Sequence, residues 1–156
     1  MKYKFTYQTT GLDIWQLSIY RIYSSMIGIT NIVFTVAMLL LGVKFWSSVN
    51  LFIRVLIGFA VSLFTVIQPL AIYKRARRQA ANAPEEIEIG FNNKGVHVKS
   101  GKQSSYLKWQ RIKDVSKIPG MIVVRSTDKH GFILANRVLG QEKEDLYEYV
   151  LSMINK

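Results

Sequence analysis

Two long apolar runs, joined by a few polar residues, dominate the pattern of the chain. Met26 to Val43 is eighteen residues without a formal charge, and Val55 to Tyr73 is nineteen more. About twenty apolar residues at 1.5 Å rise each match a hydrocarbon core of roughly 30 Å. The pattern predicts a transmembrane helical hairpin, with spans at 26–46 and 51–73 and a turn between them. Before it, Tyr3, Phe5 and Tyr7 alternate with Lys2, Lys4 and Thr6. That two-residue period predicts a strand over residues 1–10 that joins a later sheet, the alternative being a disordered tail. Leu12, Trp15, Ile19 and Ile22 recur at helical spacing. They predict a helix over residues 11–25, started near Asp13. It lies either in the membrane interface, with Trp15, Tyr20 and Tyr23 at headgroup level, or as an extension of the first span.

After Pro84 the period changes. Ile87, Ile89 and Phe91 alternate with Glu86, Glu88 and Gly90, and Asn92-Asn93-Lys94-Gly95 is a turn signal. Further strands are predicted at Val96–Lys99, Ser104–Trp109, Arg111–Ile118, Met121–Arg125 and Gly131–Ala135, with Pro119-Gly120 as a tight turn. Glu142, Glu144 and Asp145 suit a helix N-terminus. Leu146, Tyr149, Val150, Met153 and Ile154 then mark one buried helical face. Residues 85–156 thus predict a small antiparallel sheet or partial barrel capped by a helix, behind a linker at 74–84. The fold class expected is membrane α+β.

Charge sharpens this division. The 156 residues carry a formal net charge of +11, which at first suggests nucleic acid. Residues 1–84 hold nine Lys/Arg against one acid, whereas residues 85–156 hold twelve against nine. The excess flanks the apolar runs, as expected of cytoplasmic loops, so no nucleic-acid partner is called for. Lys2, Lys4 and Arg21 precede the first span and Lys74, Arg75, Arg77 and Arg78 follow the second, which puts both termini in the cytoplasm of a multi-pass cell-membrane protein. The last four form a flank for anionic lipid. Lys44 and Arg54, near the far turn, read as snorkelling cations. The apolar start is too deep in the chain and too long for a secretory signal.

Inside the spans, Asn31 and Thr35 share one helix face, and Thr65 and Gln68 share another. Asn31 lies five residues in from Met26 and Gln68 five back from Tyr73, so an antiparallel hairpin brings them to one depth. A hydrogen bond between them is worth on the order of 1 kcal/mol. Candidate chemistry elsewhere is thin. There is no cysteine, which excludes disulfides, thiolate metal sites and thiol nucleophiles. His97 and His130 lack metal-ligand spacing, and Asp114 and Asp128 have no evident acid–base partner. Ser104, Ser105 and Ser126 lack a nucleophile setting. Neither an enzyme nor a cofactor is expected. Trp109 reads as a core or register residue. With Arg111 and Arg137 it is also a candidate for a binding surface.

The order of these motifs carries a resemblance. A hairpin precedes Gly95-Val96-His97-Val98, then Leu107-Lys108-Trp109-Gln110-Arg111-Ile112, then Phe132-Ile133-Leu134-Ala135-Asn136-Arg137 and an acidic helix. This resembles the YcxB-like family of bacterial membrane proteins over nearly the whole chain. The resemblance implies a pleckstrin-homology-like C-terminal domain and no assigned activity. Where that family often has Pro-Lys-Arg after the sixth strand, this chain has Ala135-Asn136-Arg137. The function expected is a membrane-anchored adaptor that presents the small domain to a protein or lipid partner. The alternative is an accessory or immunity-type subunit that engages another membrane protein through its hairpin.

Overall fold

The computed structural model describes residues 2–83, 86–126 and 131–155. Pro84, Asp128 and His130, all named above, lie outside them, as does the first residue of the range 85–156. The chain folds as two compact units: Met1–Thr9 with Ala83–Lys156, and Thr10–Asn82. As expected of the alternating start, the N-terminal strand joins the sheet of the small domain, and the helices are inserted between that domain's first two strands.

The helical unit opens with α1, Gly11–Tyr23. Its N-cap is Thr10 rather than Asp13. The two form a capping box, in which Thr10 Oγ1 accepts from the Asp13 amide and Asp13 Oδ2 accepts from the Thr10 amide at 2.8 Å. Ser24 and Ser25 break the helix, and α2 runs from Met26 to Phe45. Then α3 (Leu51–Ser62), a π turn (Leu63–Ile67) and α4 (Gln68–Ala81) form one continuous helix of 31 residues. Both long helices have the length and apolar content to cross a membrane.

In the helical unit α1 is a helix in its own right, not an extension of α2, and it packs along α4. Gly11 lies against the backbone of Arg77. Trp15 meets the Tyr73 ring edge-on, with centroids 6.1 Å apart. The α-helical ladder is interrupted around the π turn and Pro69. There α1 supplies donors: Tyr23 Oη donates to the Phe64 carbonyl and Trp15 Nε1 to the Pro69 carbonyl, each at 3.1 Å. Trp15 and Tyr23 thus bond to a neighbouring helix, which the headgroup assignment did not foresee, while Tyr20 is exposed.

Among the described residues the sheet unit has seven strands. β1 (Tyr3–Tyr7), β2 (Ile87–Asn92), β3 (Gly95–Ser100) and β4 (Gln103–Lys108) form an antiparallel sheet in the order β1-β2-β3-β4. β5 (Ile112–Ile118), β6 (Met121–Ser126) and β7 (Gly131–Ala135) form a second sheet in the order β5-β6-β7. No closed barrel forms among the described residues. β1 pairs with β2 across the whole helical insertion, with Tyr3 opposite Phe91, Phe5 opposite Ile89 and Tyr7 opposite Ile87. A short helix, α5 (Asn136–Leu139), precedes α6 (Lys143–Ile154). Alternation sets the core: Phe5, Ile89, Phe91 and Val96 from the first sheet meet Val115, Ile122, Val124 and Leu134 from the second. Leu146, Tyr149 and Val150 of α6 complete it.

Candidate functional site

The four candidate polar residues of the long helices divide into one pair and two singles. Asn31 Nδ2 donates to Gln68 Oε1 at 3.0 Å, and Asn31 is buried. Nearby, Phe34 and Phe64 meet edge to face with centroids 5.4 Å apart, and Gly42 lets Ile57 approach. The two threonines do not join the pair. Thr35 Oγ1 donates to the Asn31 carbonyl and Thr65 Oγ1 to the Val61 carbonyl, each four residues back on its own helix. Asn31→Leu is therefore expected to lower stability by about 1 kcal/mol. A double-mutant cycle with Gln68→Leu, read by thermal unfolding in detergent, should recover a coupling of the same size. Additive effects would show that the contact contributes nothing.

The charged residues at the two ends of the unit behave differently. The Arg54 guanidinium lies 5.5 Å from the Trp46 ring centroid, at the connector, and Lys44 lies over Phe45. At the other end Lys74, Arg75, Arg77 and Arg78 are all exposed on the last turns of α4. No side chain of these four takes part in an ion pair or hydrogen bond among the described residues.

The three candidates on the sheet unit do three different things. Trp109 is only 9% exposed. It opens a 3₁₀ turn (Trp109–Arg111), donates from Nε1 to the Asn92 carbonyl at 2.9 Å, stacks on Phe91 and meets Tyr149 edge-on. It is a core residue and drops out of any binding surface, because its ring fills the space beneath the β2–β3 turn. Arg137 donates to the Gln8 carbonyl at 2.9 Å and so ties α5 to the end of β1. Arg111 is exposed at the end of the 3₁₀ turn.

Three acids of this unit, Glu88, Asp114 and Glu144, form ion pairs. Asp114 lies opposite Arg125 across the β5–β6 ladder and pairs with it, which corrects the expectation that it has no partner. The hydrogen bond from Arg125, aided by one from Ser116, holds the Asp114 carboxyl below its ordinary range. Glu88 is likewise lowered, chiefly by its hydrogen bond from Lys4 on β1. Burial pushes the Tyr149 phenol up, and its hydroxyl bonds Asn93 Oδ1 at 2.9 Å. Lys2 sits 4.5 Å above the same ring. No group of three or more metal-ligating side chains occurs among the described residues. What remains is a surface that can bind through charge and backbone. His97 stands on the outer face of β3 opposite Tyr106, and its Nδ1 is buried without a hydrogen-bond partner among the described residues.

No family model matches the chain, and neither a curated protein nor a solved structure does.

Proposed function

We propose that the protein is a membrane-anchored, non-enzymatic binding module. In this reading α2 and the α3–α4 helix cross a bilayer as a hairpin and present the sheet unit in the cytosol to a partner. One observation carries it. Along Leu51–Ala81 the most apolar window has no buried residue, and along Met26–Phe45 only a small share is buried. Leu40, Val43, Leu51, Phe52 and Val55 all stand in the open. A core helix of a water-soluble protein covers such side chains, whereas a spanning helix leaves them to lipid.

Topology supports the same reading. Because β1 pairs with β2, the chain leaves the sheet unit and returns to it at one point. An inserted segment of that kind crosses a bilayer an even number of times, which suits two spans. The exposed Lys74, Arg75, Arg77 and Arg78 favour the cytoplasmic leaflet for that end. A four-stranded meander, a three-stranded meander and a final helix agree with the pleckstrin-homology-like domain that the YcxB-like resemblance implies.

The absence of cysteine makes the test direct. The chain is expected to stay in the pellet through alkaline extraction. Ser48→Cys, in the connector, should react with a membrane-impermeant maleimide in intact cells, and Ser104→Cys on β4 only after permeabilisation. Release into the alkaline wash would overturn the anchor. The reverse labelling pattern would overturn the orientation alone.

A further inference from the structure

The outermost strand of the larger sheet, β4, has no neighbour beyond β3 among the described residues. The register defines which of its backbone groups are unused. Ser100 and Gln103 close a two-residue turn, so they exchange both ladder bonds, as do Val98 with Ser105 and Val96 with Leu107. Ser104, Tyr106 and Lys108 alternate with these and direct their N–H and C=O groups away from β3. The Lys108 carbonyl is used, because as N-cap of the 3₁₀ turn it accepts from the Arg111 amide; no other backbone hydrogen bond reaches these groups among the described residues. The strand is exposed at Gln103, Ser104, Ser105, Tyr106 and Lys108.

Charge around this edge has one sign. From Ile89 to Lys113 the chain holds six Lys/Arg and no acid in 25 residues. Lys99, Lys102 and Lys108 flank the strand, are exposed, and take part in no ion pair among the described residues. Of the nearby acids, Glu88 faces Lys99 across the β2–β3 ladder but is ion-paired with Lys4, while Asp114 pairs with Arg125 and Glu144 with Lys117.

We propose that the free edge of β4 docks an extended acidic segment of a partner protein, added as a fifth strand of the sheet. This rests on the reading of the sheet unit as a binding module and names its partner class. Backbone bonds to Ser104, Tyr106 and the Lys108 amide supply affinity, and the lysines select acidic side chains and speed encounter. A second copy of the chain is a poor occupant, because it sets lysine against lysine across the new ladder. A lipid surface offers no strand to satisfy the edge. Single-stranded nucleic acid is held by several stacking rings. On the outer face of this sheet Tyr106 is the one large exposed ring among the described residues.

The test uses the full chain in phosphatidylcholine nanodiscs. The probe is a fluorescent eight-residue peptide of alternating Glu and Val, read by anisotropy. It is expected to bind, more weakly as salt rises, while the Lys-Val counterpart does not. Tyr106→Pro removes one outward N–H and no bond to β3, the placement in which an edge strand tolerates proline. It should weaken binding about tenfold or more without lowering Tm. Reversal of Lys99, Lys102 and Lys108 to Glu should abolish binding of the acidic peptide and admit the Lys-Val one. Unchanged binding in Tyr106→Pro would overturn strand addition. If that variant fails to fold, unchanged binding in the charge-reversed variant overturns the proposal instead. Displacement of the peptide by a thymidine oligonucleotide or by phosphatidylserine vesicles, with no sensitivity to Tyr106→Pro, would also overturn it. None of these outcomes bears on alkaline extraction, so membrane anchoring stands or falls separately.

Discussion

A chain in which Asn-Gly replaces residues 8–86 is expected to be soluble and to fold, whereas residues 87–156 alone are expected to lack a fixed core. The reason lies in the register. Tyr7 and Ile87 face each other as the last pair of the β1–β2 ladder. An Asn-Gly type I′ turn joins such a pair with the twist a hairpin needs. The join removes the whole helical unit and leaves all seven strands, the price being the Arg137 bond to the Gln8 carbonyl. Residues 87–156 lose β1 entirely. Phe5 and Tyr7 are each under a tenth exposed and belong to the same core as Ile89, Phe91 and Trp109. Truncating a buried aromatic costs roughly 3–5 kcal/mol, and a domain of this size holds about 5–15 kcal/mol in total. Losing two such rings, together with the partner of β2, takes most of that margin. Near-ultraviolet circular dichroism and amide hydrogen exchange should show fixed aromatic packing and protected β2 amides in the joined chain, and neither in the truncated one. A fully packed residue 87–156 fragment would mean that β1 is an accessory strand.

The sequence located elements where period and local chemistry agree, and fell short where the structure depends on what comes from far along the chain. Alternation marked β1 and β2 because Phe5, Tyr7, Ile89 and Phe91 all turn to the buried face. The uncharged runs marked α2 and α3–α4, and equal depth brought Asn31 to Gln68. Thr10-x-x-Asp13 was a readable capping box, yet Asp13 alone was taken as the helix start. The π turn at Leu63–Ile67 has no sequence signature beyond the nearby Pro69, since it is an insertion in hydrogen bonding rather than in composition. Asp114 seemed unpartnered because Arg125 faces it only once the β5–β6 register is known, including the irregularity at Ile112/Asp114. The edge of β4 was hidden for a similar reason. Ser104, Ser105 and Tyr106 read as an ordinary amphipathic strand until the sheet order leaves one side of it bare. For Asp114 and the β4 edge the deciding feature is strand pairing, which neither period nor propensity reports.

Gly28→Ala is expected to be the most damaging single-methyl change in the helical unit, while Gly58→Ala in the same unit is expected to be harmless. A Cβ at residue 28 would stand 2.4 Å from Tyr23 Cα and 2.5 Å from the Ile22 carbonyl oxygen. Both are backbone atoms, so no rotamer change relieves the clash. Either α2 moves or the last turn of α1 moves, and Tyr23 is the residue whose hydroxyl serves the Phe64 carbonyl beside the π turn. Displacing α1 strips that carbonyl of its donor and loosens the Trp15 bond to the Pro69 carbonyl. In an apolar surrounding each lost partner adds to the steric cost. Overpacking of this kind costs about 1–3 kcal/mol before the hydrogen bonds are counted. At Gly42 the only near atom is the Ile57 side-chain Cγ2 at 3.2 Å, which can shift, so Gly42→Ala should fall between the two. At Gly58 nothing lies within 4 Å. There alanine gains the helix propensity that glycine lacks, up to about 1 kcal/mol. Thermal unfolding in detergent should rank the three as Gly58→Ala above Gly42→Ala above Gly28→Ala. Trp15 emission should shift toward the red only in the last, as its indole leaves Pro69. A Gly28→Ala protein with unchanged Tm and emission would mean that α1 does not lie against the start of α2, and that the π turn holds its shape without help from α1.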